Sequence, residues 1–320
     1  MLYPLKFQPI LKDKIWGGEK LNQYFNKASD SKNLGESWEI STVPNDVSVV
    51  ANGELKGKSL QELVNDYKSN FLGSKNWKRF GNEFPLLIKF IDAKQDLSIQ
   101  LHPNDELAKK RHNSFGKTEM WYVMQADKDA NLIVGFKGEV DKATYLKHLE
   151  NNTLTEILNF DNVKEGDTYF IEAGRLHAIG AGVLLAEIQQ TSDVTYRVYD
   201  WDRVDDNGNE RDLHNNIAID AFDFEMKNDF RIDYPKQKNA SNEMVSCPFF
   251  TTNFIDITSE IKIENTHDSF LIYMCVDGDV EVSTKDSKEH ISKGETILIP
   301  AEIKNFALKS VFGKLLEVYV

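Results

Sequence analysis

The chain has 320 residues, of which 41% are hydrophobic and 28% are charged, a composition typical of a soluble globular protein with one large or two modest domains. Its formal net charge of −13 argues against a nucleic-acid partner, and any anionic substrate must therefore be held by a few local Lys or Arg side chains. Two cysteines are too few for a disulfide framework, so a reducing cytoplasm is the expected compartment; neither a secretory signal in residues 1–7 nor a membrane-spanning apolar segment of about 20 residues is expected.

Short segments of alternating apolar and polar residues, separated by Gly, Asn and Asp turns, predict many short β-strands. The clearest predicted helix covers residues 59–71, with Ser59 as its N-cap and Glu62 completing a capping box. Gly73 is expected to end this helix. Two shorter helices are expected further along, at residues 141–149 and 153–158. Many strands and few helices predict a mainly β protein built as a sandwich or barrel.

The segment 97–103 is the most informative of the predicted strands. Its alternation places Gln100 and His102 on the same face, and Pro103 favours extended backbone at His102, which is expected to remain in the strand. An amide oxygen and an imidazole on one face are half of a metal site. Glu119 and His177, further along the chain, complete a candidate ligand set.

His102, Glu119 and His177 offer two imidazoles and a carboxylate, and Gln100 can add a neutral oxygen. This donor set suits a divalent first-row metal, with zinc as the leading candidate. Two His and one carboxylate are also the facial triad of non-haem iron oxygenases, so that alternative remains open at this point. Each histidine taken alone is better explained as an ordinary half-buried polar residue, but their joint placement favours a ligand set.

Charged residues flank this set. Lys117 stands two residues before Glu119, and Arg197 lies in an alternating segment at 195–201; both invite an anionic substrate in a protein of this negative charge. Glu187 shares parity with the apolar residues of the segment 182–189 and is expected to face inward, where a carboxylate requires a partner or a function. It either transfers protons or forms a structural ion pair with Arg197 or Lys117, and both alternatives remain open.

An internal repeat predicts two β units. Residues 164–171 and 292–299 share a turn-and-strand pattern, and 11 residues separate both Gly166 from His177 and Gly294 from Asn305. Strand 120–124 matches 271–275, which places Glu119 opposite Phe270 and His177 opposite Asn305. The second unit therefore keeps the spacing and lacks the ligands. The polar stretch 236–243 predicts a division into domains 1–235 and 236–320.

Together these segments resemble type I mannose-6-phosphate isomerase (phosphomannose isomerase) in its short bacterial form, along most of the chain. The segments that carry the resemblance are two N-terminal blocks, two metal-binding blocks and two later active-site blocks: 14–18, 35–41, 97–103, 117–122, 174–179 and 191–197. The resemblance implies two cupin-type (jelly-roll) β-barrel units with a few short helices, the first carrying one zinc ion and the second metal-free. It also implies reversible conversion of mannose 6-phosphate to fructose 6-phosphate through a cis-enediol.

By the same resemblance, the residues take specific roles. His102, Glu119 and His177 bind zinc, with Gln100 as a fourth ligand that water can replace. Arg197 matches the family's active-site arginine, and Lys117, Ser98 and Glu187 match positions that line the substrate pocket. From these matches and the chemistry of isomerisation, Arg197, Glu187 and Lys117 are the expected catalytic residues, and Ser98, Lys117 and Arg197 the expected substrate contacts.

Two other functions compete with this hypothesis. One is the iron-dependent oxygenase on the same barrel, and the other is a non-enzymatic binder of sugar or sugar phosphate. A small sugar phosphate is the expected partner, with no nucleic acid and no membrane, and the chain is expected to be a monomer or a homodimer.

Overall fold

The computed structural model describes residues 1–205, 207–227 and 229–320. Within these ranges the chain forms 21 strands and six α-helices, which confirms the prediction of a mainly β protein with few helices. The same described residues contain no helix that is long and apolar enough to cross a membrane.

The first unit is a jelly roll of two facing antiparallel sheets. In chain order its strands are β1 (Ile10–Gly18), β2 (Leu34–Ile40), β3 (Thr42–Val43), β4 (Asp46–Val47), β5 (Leu86–Ala93), β6 (Ile99–Leu101), β7 (Glu119–Ala126), β8 (Asn131–Phe136), β9 (Leu158–Asn162), β10 (Thr168–Ile171), β11 (His177–Ile179), β12 (Val183–Gln190) and β13 (Tyr196–Tyr199). One sheet has the order β1-β2-β5-β12-β7-β10 and the other β13-β6-β11-β8-β9. Side chains from both, including Trp121, Leu185 and Ile179, pack into one core between the sheets.

The helices are short and lie outside these sheets. They are α1 (Lys20–Phe25), α2 (Leu60–Leu72), α3 (Ser74–Phe80), α4 (Asp105–His112), α5 (Lys142–Glu150) and α6 (Asn215–Ala218), with a 3₁₀ turn at Leu154–Ile157. The Ser59 capping box that begins α2 is present, and Gly73 follows its last residue with a φ of 92°.

Helix α4 was not predicted, because its eight residues are mostly charged and give no apolar stripe. Its terminal signals were readable in the sequence. Asn104 caps its first turn, which is acidic, and its last turn is basic.

The second unit is another antiparallel jelly roll. Its strands are β14 (Asn242–Ser246), β15 (Thr251–Ile257), β16 (Ile261–Glu264), β17 (Leu271–Ser283), β18 (Lys288–Ser292), β19 (Thr296–Ile299), β20 (Asn305–Lys309) and β21 (Gly313–Tyr319). Its interior is filled by apolar side chains such as Ile255, Ile297 and Leu308. The six-stranded sheet of the first unit turns its outer face toward this unit, and Met120, Ile272 and residues of α2 share one core.

Strand pairing corrects the register that the sequence predicted for the repeat. In the first unit Ile171 pairs with Glu119, and its repeat counterpart Ile299 pairs with Leu271. The residue equivalent to Glu119 is therefore Leu271, and the prediction of Phe270 was wrong by one position. A slip of one residue reverses the face of a strand. Accordingly, Phe270 packs in the core between the units, whereas Leu271 faces the interior of the second unit.

Candidate active site

Three predicted ligands meet at one end of the first jelly roll. Glu119 begins β7, His177 begins β11, and His102 lies one residue past the end of β6. The expectation that His102 belongs to the strand was wrong: pairing of β6 ends at Leu101, and the backbone oxygen of His102 accepts a hydrogen bond from Gly174 instead. All three ligands are buried, and one candidate ligand atom from each lies within 4.8 Å of the others.

Backbone carbonyls fix the orientation of both imidazoles. Nδ1 of His102 lies 2.9 Å from the carbonyl oxygen of Val194, and Nδ1 of His177 lies 2.8 Å from that of Arg175. A carbonyl oxygen only accepts, so each Nδ1 carries the proton and each Nε2 keeps its lone pair. Both Nε2 atoms lie 3.5 Å from the carboxylate of Glu119. This is the arrangement in which protein imidazoles bind metal ions.

The donor set fits a divalent metal ion. Nε2 of His177 and Oε1 of Glu119 are buried and have no hydrogen-bond partner among the described residues. Leaving such atoms unsatisfied costs free energy, which a bound cation would recover. Burial, followed by the nearby charge of Lys117, lowers the pKa of His177 to about 3, so its imidazole is neutral at physiological pH, the form that binds a metal.

Lys117 brings a buried positive charge directly to this cluster. Its Nζ lies 2.9 Å from Nε2 of His102 and contacts the carboxylate of Glu119. Burial and then repulsion by Glu187 raise the pKa of Glu119, while the Lys117 charge opposes that change. Lys117 and Glu119 therefore lie side by side, as predicted from their spacing of two residues in an extended segment.

Beside the cluster lies an open cavity of about 260 Å³ between the two sheets. Every other predicted site residue lines it: Ser98, Gln100, Lys117, Glu187 and Arg197. Gln100 pairs with His177 across β6 and β11, which places its side chain next to the ligand set. Its role as a fourth ligand stays a prediction.

Glu187 faces the cavity and is almost fully buried. Its Oε2 accepts a hydrogen bond of 2.9 Å from Nε1 of Trp121, and its Oε1 lies 3.2 Å from Nζ of Lys89. Of the two alternatives for Glu187, the ion pair with Arg197 or Lys117 is not the one that forms: cross-strand pairing of β12 with β5 puts Lys89 directly opposite Glu187 as its partner. Burial raises the pKa of Glu187, but the charges of Lys117 and Lys89 outweigh it, so the pKa is lowered and the carboxylate is ionised.

Arg197 approaches the cavity from β13 and is about half buried. Its Nε donates to Oγ of Ser98 at 3.3 Å, and one terminal nitrogen donates to the carbonyl oxygen of Asp212 at 2.8 Å. Burial lowers the pKa of Arg197 from its usual value, and an arginine side chain in a protein remains charged. Ser98 and Arg197 therefore present a hydroxyl and a cation side by side.

Sequence reasoning missed a row of charged residues on the inner face of β1, β2 and β5, of which Glu36 and Lys89 are buried and Lys14 is half-buried. Nζ of Lys14 lies 3.4 Å from the carboxylate of Glu36, which also accepts a bond of 2.6 Å from Nε1 of Trp38. Lys89 lies over the Trp38 ring, 5.0 Å from its centroid, and reaches Glu187 on its other side. The signal was available: Glu36 and Trp38 alternate along a strand, and parity of that kind revealed Glu187.

Comparison with known proteins identifies the family. A model described as "Phosphomannose isomerase type I, catalytic domain" matches residues 4–132, and one described as "Mannose-6-phosphate isomerase, cupin domain" matches residues 240–320. A mannose-6-phosphate isomerase of Streptococcus mutans is 36% identical over 307 residues, which are 96% of this chain and 95% of the relative. The chain belongs to the type I phosphomannose isomerase family.

Structural comparison agrees with this assignment. The crystal structure of the mannose 6-phosphate isomerase from Bacillus subtilis superposes with a TM-score of 0.91 at 32% identity and covers 100% of both chains. A putative mannosephosphate isomerase from Archaeoglobus fulgidus has a TM-score of 0.80 at 22% identity, covering 99% of this chain and 98% of the other. At 22% identity, this similarity shows that the two proteins share a fold and no more than that. The family resemblance inferred from sequence blocks is thereby confirmed.

Proposed function

We propose that this site interconverts mannose 6-phosphate and fructose 6-phosphate. The observation that carries the proposal is a buried His₂Glu set beside a cationic cavity, in a chain that belongs to the type I phosphomannose isomerase family. An aldose–ketose isomerase needs a group that moves a proton between C1 and C2, positive charge beside the two oxygens, and a hold on the phosphate. The cavity offers a residue for each task.

Zinc is the metal we propose, one ion per chain, held by His102, Glu119 and His177 with Gln100 as the fourth ligand. When bound, it supplies a Lewis-acid charge that polarises the oxygens at C1 and C2. The hydrogen bonds that the two Nδ1 atoms donate to backbone carbonyl oxygens support this assignment. They leave the lone pair of each Nε2 on the side of Glu119.

Glu187 is the proposed proton carrier. Its ionised carboxylate removes the proton from C2 of the aldose; the C1=C2 bond forms as the C1 carbonyl bond opens, and O1 takes a proton to give the cis-enediol. The C2 hydroxyl then loses its proton as the C2 carbonyl forms, and Glu187 returns its proton to C1, so that one proton moves from C2 to C1 and one from O2 to O1. Trp121 fixes Oε2, whereas Oε1 accepts no well-directed hydrogen bond even though it lies 3.2 Å from Lys89. Oε1, which faces Lys89 without such a hydrogen bond, is the atom we assign to take the proton.

Lys117 and Arg197 are proposed to neutralise the negative charge of the substrate. Lys117 lies against the ligand set, where charge develops on the enediol oxygens. Arg197 and Ser98 lie further along the cavity, where a cation and a hydroxyl suit either the phosphate or the enediolate. A change in KM alone assigns Arg197 to the phosphate, and a change in kcat assigns it to the enediolate.

A coupled assay that follows fructose 6-phosphate formation tests the function. We expect turnover of mannose 6-phosphate that a chelator abolishes and added zinc restores. Saturable binding of mannose 6-phosphate without turnover, in protein with one bound zinc per chain, would contradict the proposal and favour a sugar-phosphate binder.

We also retain the division into domains 1–235 and 236–320, cytoplasmic localisation, and a monomer or homodimer as proposals. The match of the cupin-domain model to residues 240–320 supports the domain division.

A further inference from the structure

Lys117 lies just outside the strand that holds Glu119, so regular strand pairing does not fix its position. β7 begins at Glu119, and the register between β7 and β12 ends with the pair of Glu119 and Gln189. Lys117 and its two neighbours, Gly116 and Thr118, precede this strand and are buried. Because buried backbone amides require hydrogen-bond partners, those of Gly116 and Thr118 must find theirs outside the ladder.

Two side chains supply these partners. Oε1 of Gln190 accepts a hydrogen bond of 2.9 Å from the backbone amide of Thr118. Oδ1 of Asp105 accepts one of 2.8 Å from the backbone amide of Gly116. The two side chains also contact each other, since Nε2 of Gln190 donates to the same Oδ1 of Asp105 at 2.9 Å. One side-chain network therefore holds the backbone immediately before and immediately after Lys117.

The positions of Gln190 and Asp105 distinguish them from the residues that face the substrate. Neither is among the described residues that line the cavity beside the ligand set. Gln190 is 4% exposed and lies three residues after Glu187 on β12, so the two side chains leave this strand on opposite faces. Asp105 begins α4, where the helix dipole favours a carboxylate, but the dipole does not require that carboxylate to bind Gly116 and Gln190.

We propose that Gln190 and Asp105 are positioning residues for Lys117, an inference that rests on the proposed isomerisation. Nζ of Lys117 lies 2.9 Å from Nε2 of His102, where negative charge develops on the enediol oxygens. A misplacement of about 1 Å at such a group can lower turnover by up to about 10²-fold. Since Arg197 and Ser98 lie further along the cavity, loss of the network should affect kcat more than KM.

Gln190→Met tests the proposal, because it preserves the side-chain volume and removes both side-chain hydrogen bonds. We expect kcat for mannose 6-phosphate to fall about ten-fold, KM to stay within about two-fold of wild type, and the zinc content to be unchanged. Asn242→Leu is the matched control, since Asn242 is also 4% exposed and its amide bridges backbone groups in the second unit. The control should be less stable and keep kcat. Normal kcat in Gln190→Met, or an equal fall in the control, would overturn the proposal.

A double-mutant cycle shows whether Gln190 acts through Lys117. Lys117→Met should lower kcat by itself. Adding Gln190→Met to this variant should lower kcat by less than about two-fold more, because no ammonium remains to be positioned. A further loss as large as that caused by Gln190→Met alone would assign Gln190 to the general stability of the fold and contradict the proposal.

Asp105 offers a test on an exposed side chain, where failure to fold is not expected. Asp105→Ala should lower kcat as Gln190→Met does, whereas Asp105→Asn keeps an acceptor oxygen and should retain kcat within about two-fold of wild type. Glu106→Ala removes the other acidic residue of the same helical turn and should leave kcat unchanged. Equal losses in Asp105→Ala and Asp105→Asn, or in Asp105→Ala and Glu106→Ala, would contradict the proposal.

Hydrogen exchange provides a readout that does not depend on turnover. In the zinc-loaded full chain, Gln190→Met should make the amides of residues 116–118 exchange several-fold faster, while those of β5 stay as protected as in wild type. Unchanged exchange at residues 116–118 would show that the network does not hold Lys117. If wild type failed to isomerise mannose 6-phosphate, the proposed function would fall, and the exchange rates would still decide whether Gln190 positions this segment.

Discussion

The two jelly rolls of this chain share a strand ladder but differ in what their interiors contain. Strands β7, β10 and β12 of the first unit correspond to β17, β19 and β21 of the second. At the position of Glu119, a proposed ligand, the second unit has Leu271, and at the position of His177 it has the exposed Asn305. The same scaffold therefore holds a His₂Glu cluster that fits a metal ion in one unit and an apolar core in the other.

One buried carboxylate is common to both units. Glu187 pairs across the sheet with Trp121 on one side and Lys89 on the other, and Glu317 pairs in the same way with Tyr273 and Asn253. Each glutamate accepts a hydrogen bond from its aromatic neighbour, at 2.9 Å from Trp121 and at 2.8 Å from Tyr273. A buried glutamate at this position is therefore compatible with the scaffold alone.

The surroundings of the two glutamates separate their chemistry. Glu317 also accepts hydrogen bonds from Asn253 at 2.7 Å and Ser241 at 2.9 Å, so neutral donors satisfy it. Glu187 faces Lys89, the charge of Lys117 and an open cavity. The hydrogen bond from an aromatic neighbour is therefore shared by both units, whereas the lysine charges and the open cavity are found beside Glu187 and not beside Glu317 among the described residues.

Removal of a metal ligand should have the largest effect. We expect His102→Ala and Glu119→Ala to lose both bound zinc and isomerase activity, because each removes one of three converging donors. Elemental analysis and the coupled assay measure the two losses. Asn305→Ala, which changes the position equivalent to His177, should keep full zinc content and activity.

Stoichiometric zinc in either ligand variant would contradict the ligand assignment. Loss of zinc in Asn305→Ala would contradict the proposed difference between the units, because it would make the second unit necessary for the metal site.

Substitution of the equivalent glutamates should have the next largest effect. Glu187→Gln removes the proposed proton carrier, and we expect kcat to fall by about 10²- to 10⁴-fold with little change in substrate binding. Glu317→Gln should leave kcat unchanged and lower the free energy of unfolding by about 1 to 3 kcal/mol, because it disturbs a satisfied buried network. Turnover kinetics and urea unfolding separate these results. Near-normal kcat in Glu187→Gln would remove it from the mechanism.

Arg197 tests the comparison in a different way, because its strand, β13, has no equivalent among the described strands of the second unit. β13 pairs with β6 in the first unit, whereas β16, the counterpart of β6, pairs only with β20 among the described residues. We expect Arg197→Met to raise KM for mannose 6-phosphate by about ten- to 100-fold, which corresponds to a lost charge-assisted bond to the phosphate. Arg211→Met is the control, since Arg211 also lines the cavity but is paired with Asp200. Equal effects in both variants would indicate a general loss of positive charge.

The sequence predicted the site better than it predicted the relation between the units. His102, Glu119 and His177 lie at or next to strand ends, where the sequence predicted them. The alternation of apolar residues around Glu187 predicted that its side chain faces inward, so local sequence patterns were sufficient to find these residues. Lys89 was missed because its strand, a nearly continuous buried segment, gives no alternation to read. The wrong counterpart of Glu119 hid the equivalence of Glu187 and Glu317, because register depends on hydrogen bonds between strands far apart in sequence.

The aromatic donors should give the smallest effects, and they test whether the shared hydrogen bond is only structural. Tyr273→Phe removes one of three donors to Glu317, so we expect the free energy of unfolding to fall by about 1 kcal/mol with kcat unchanged. Trp121→Phe removes the donor that holds Glu187, and we expect kcat to fall about ten-fold, because an oriented carboxylate becomes free to turn toward Lys89. Urea unfolding and turnover kinetics of both variants measure this contrast. If both variants lost stability alone, the hydrogen bond would serve the scaffold in each unit, and the orientation of Glu187 would have to come from Lys89.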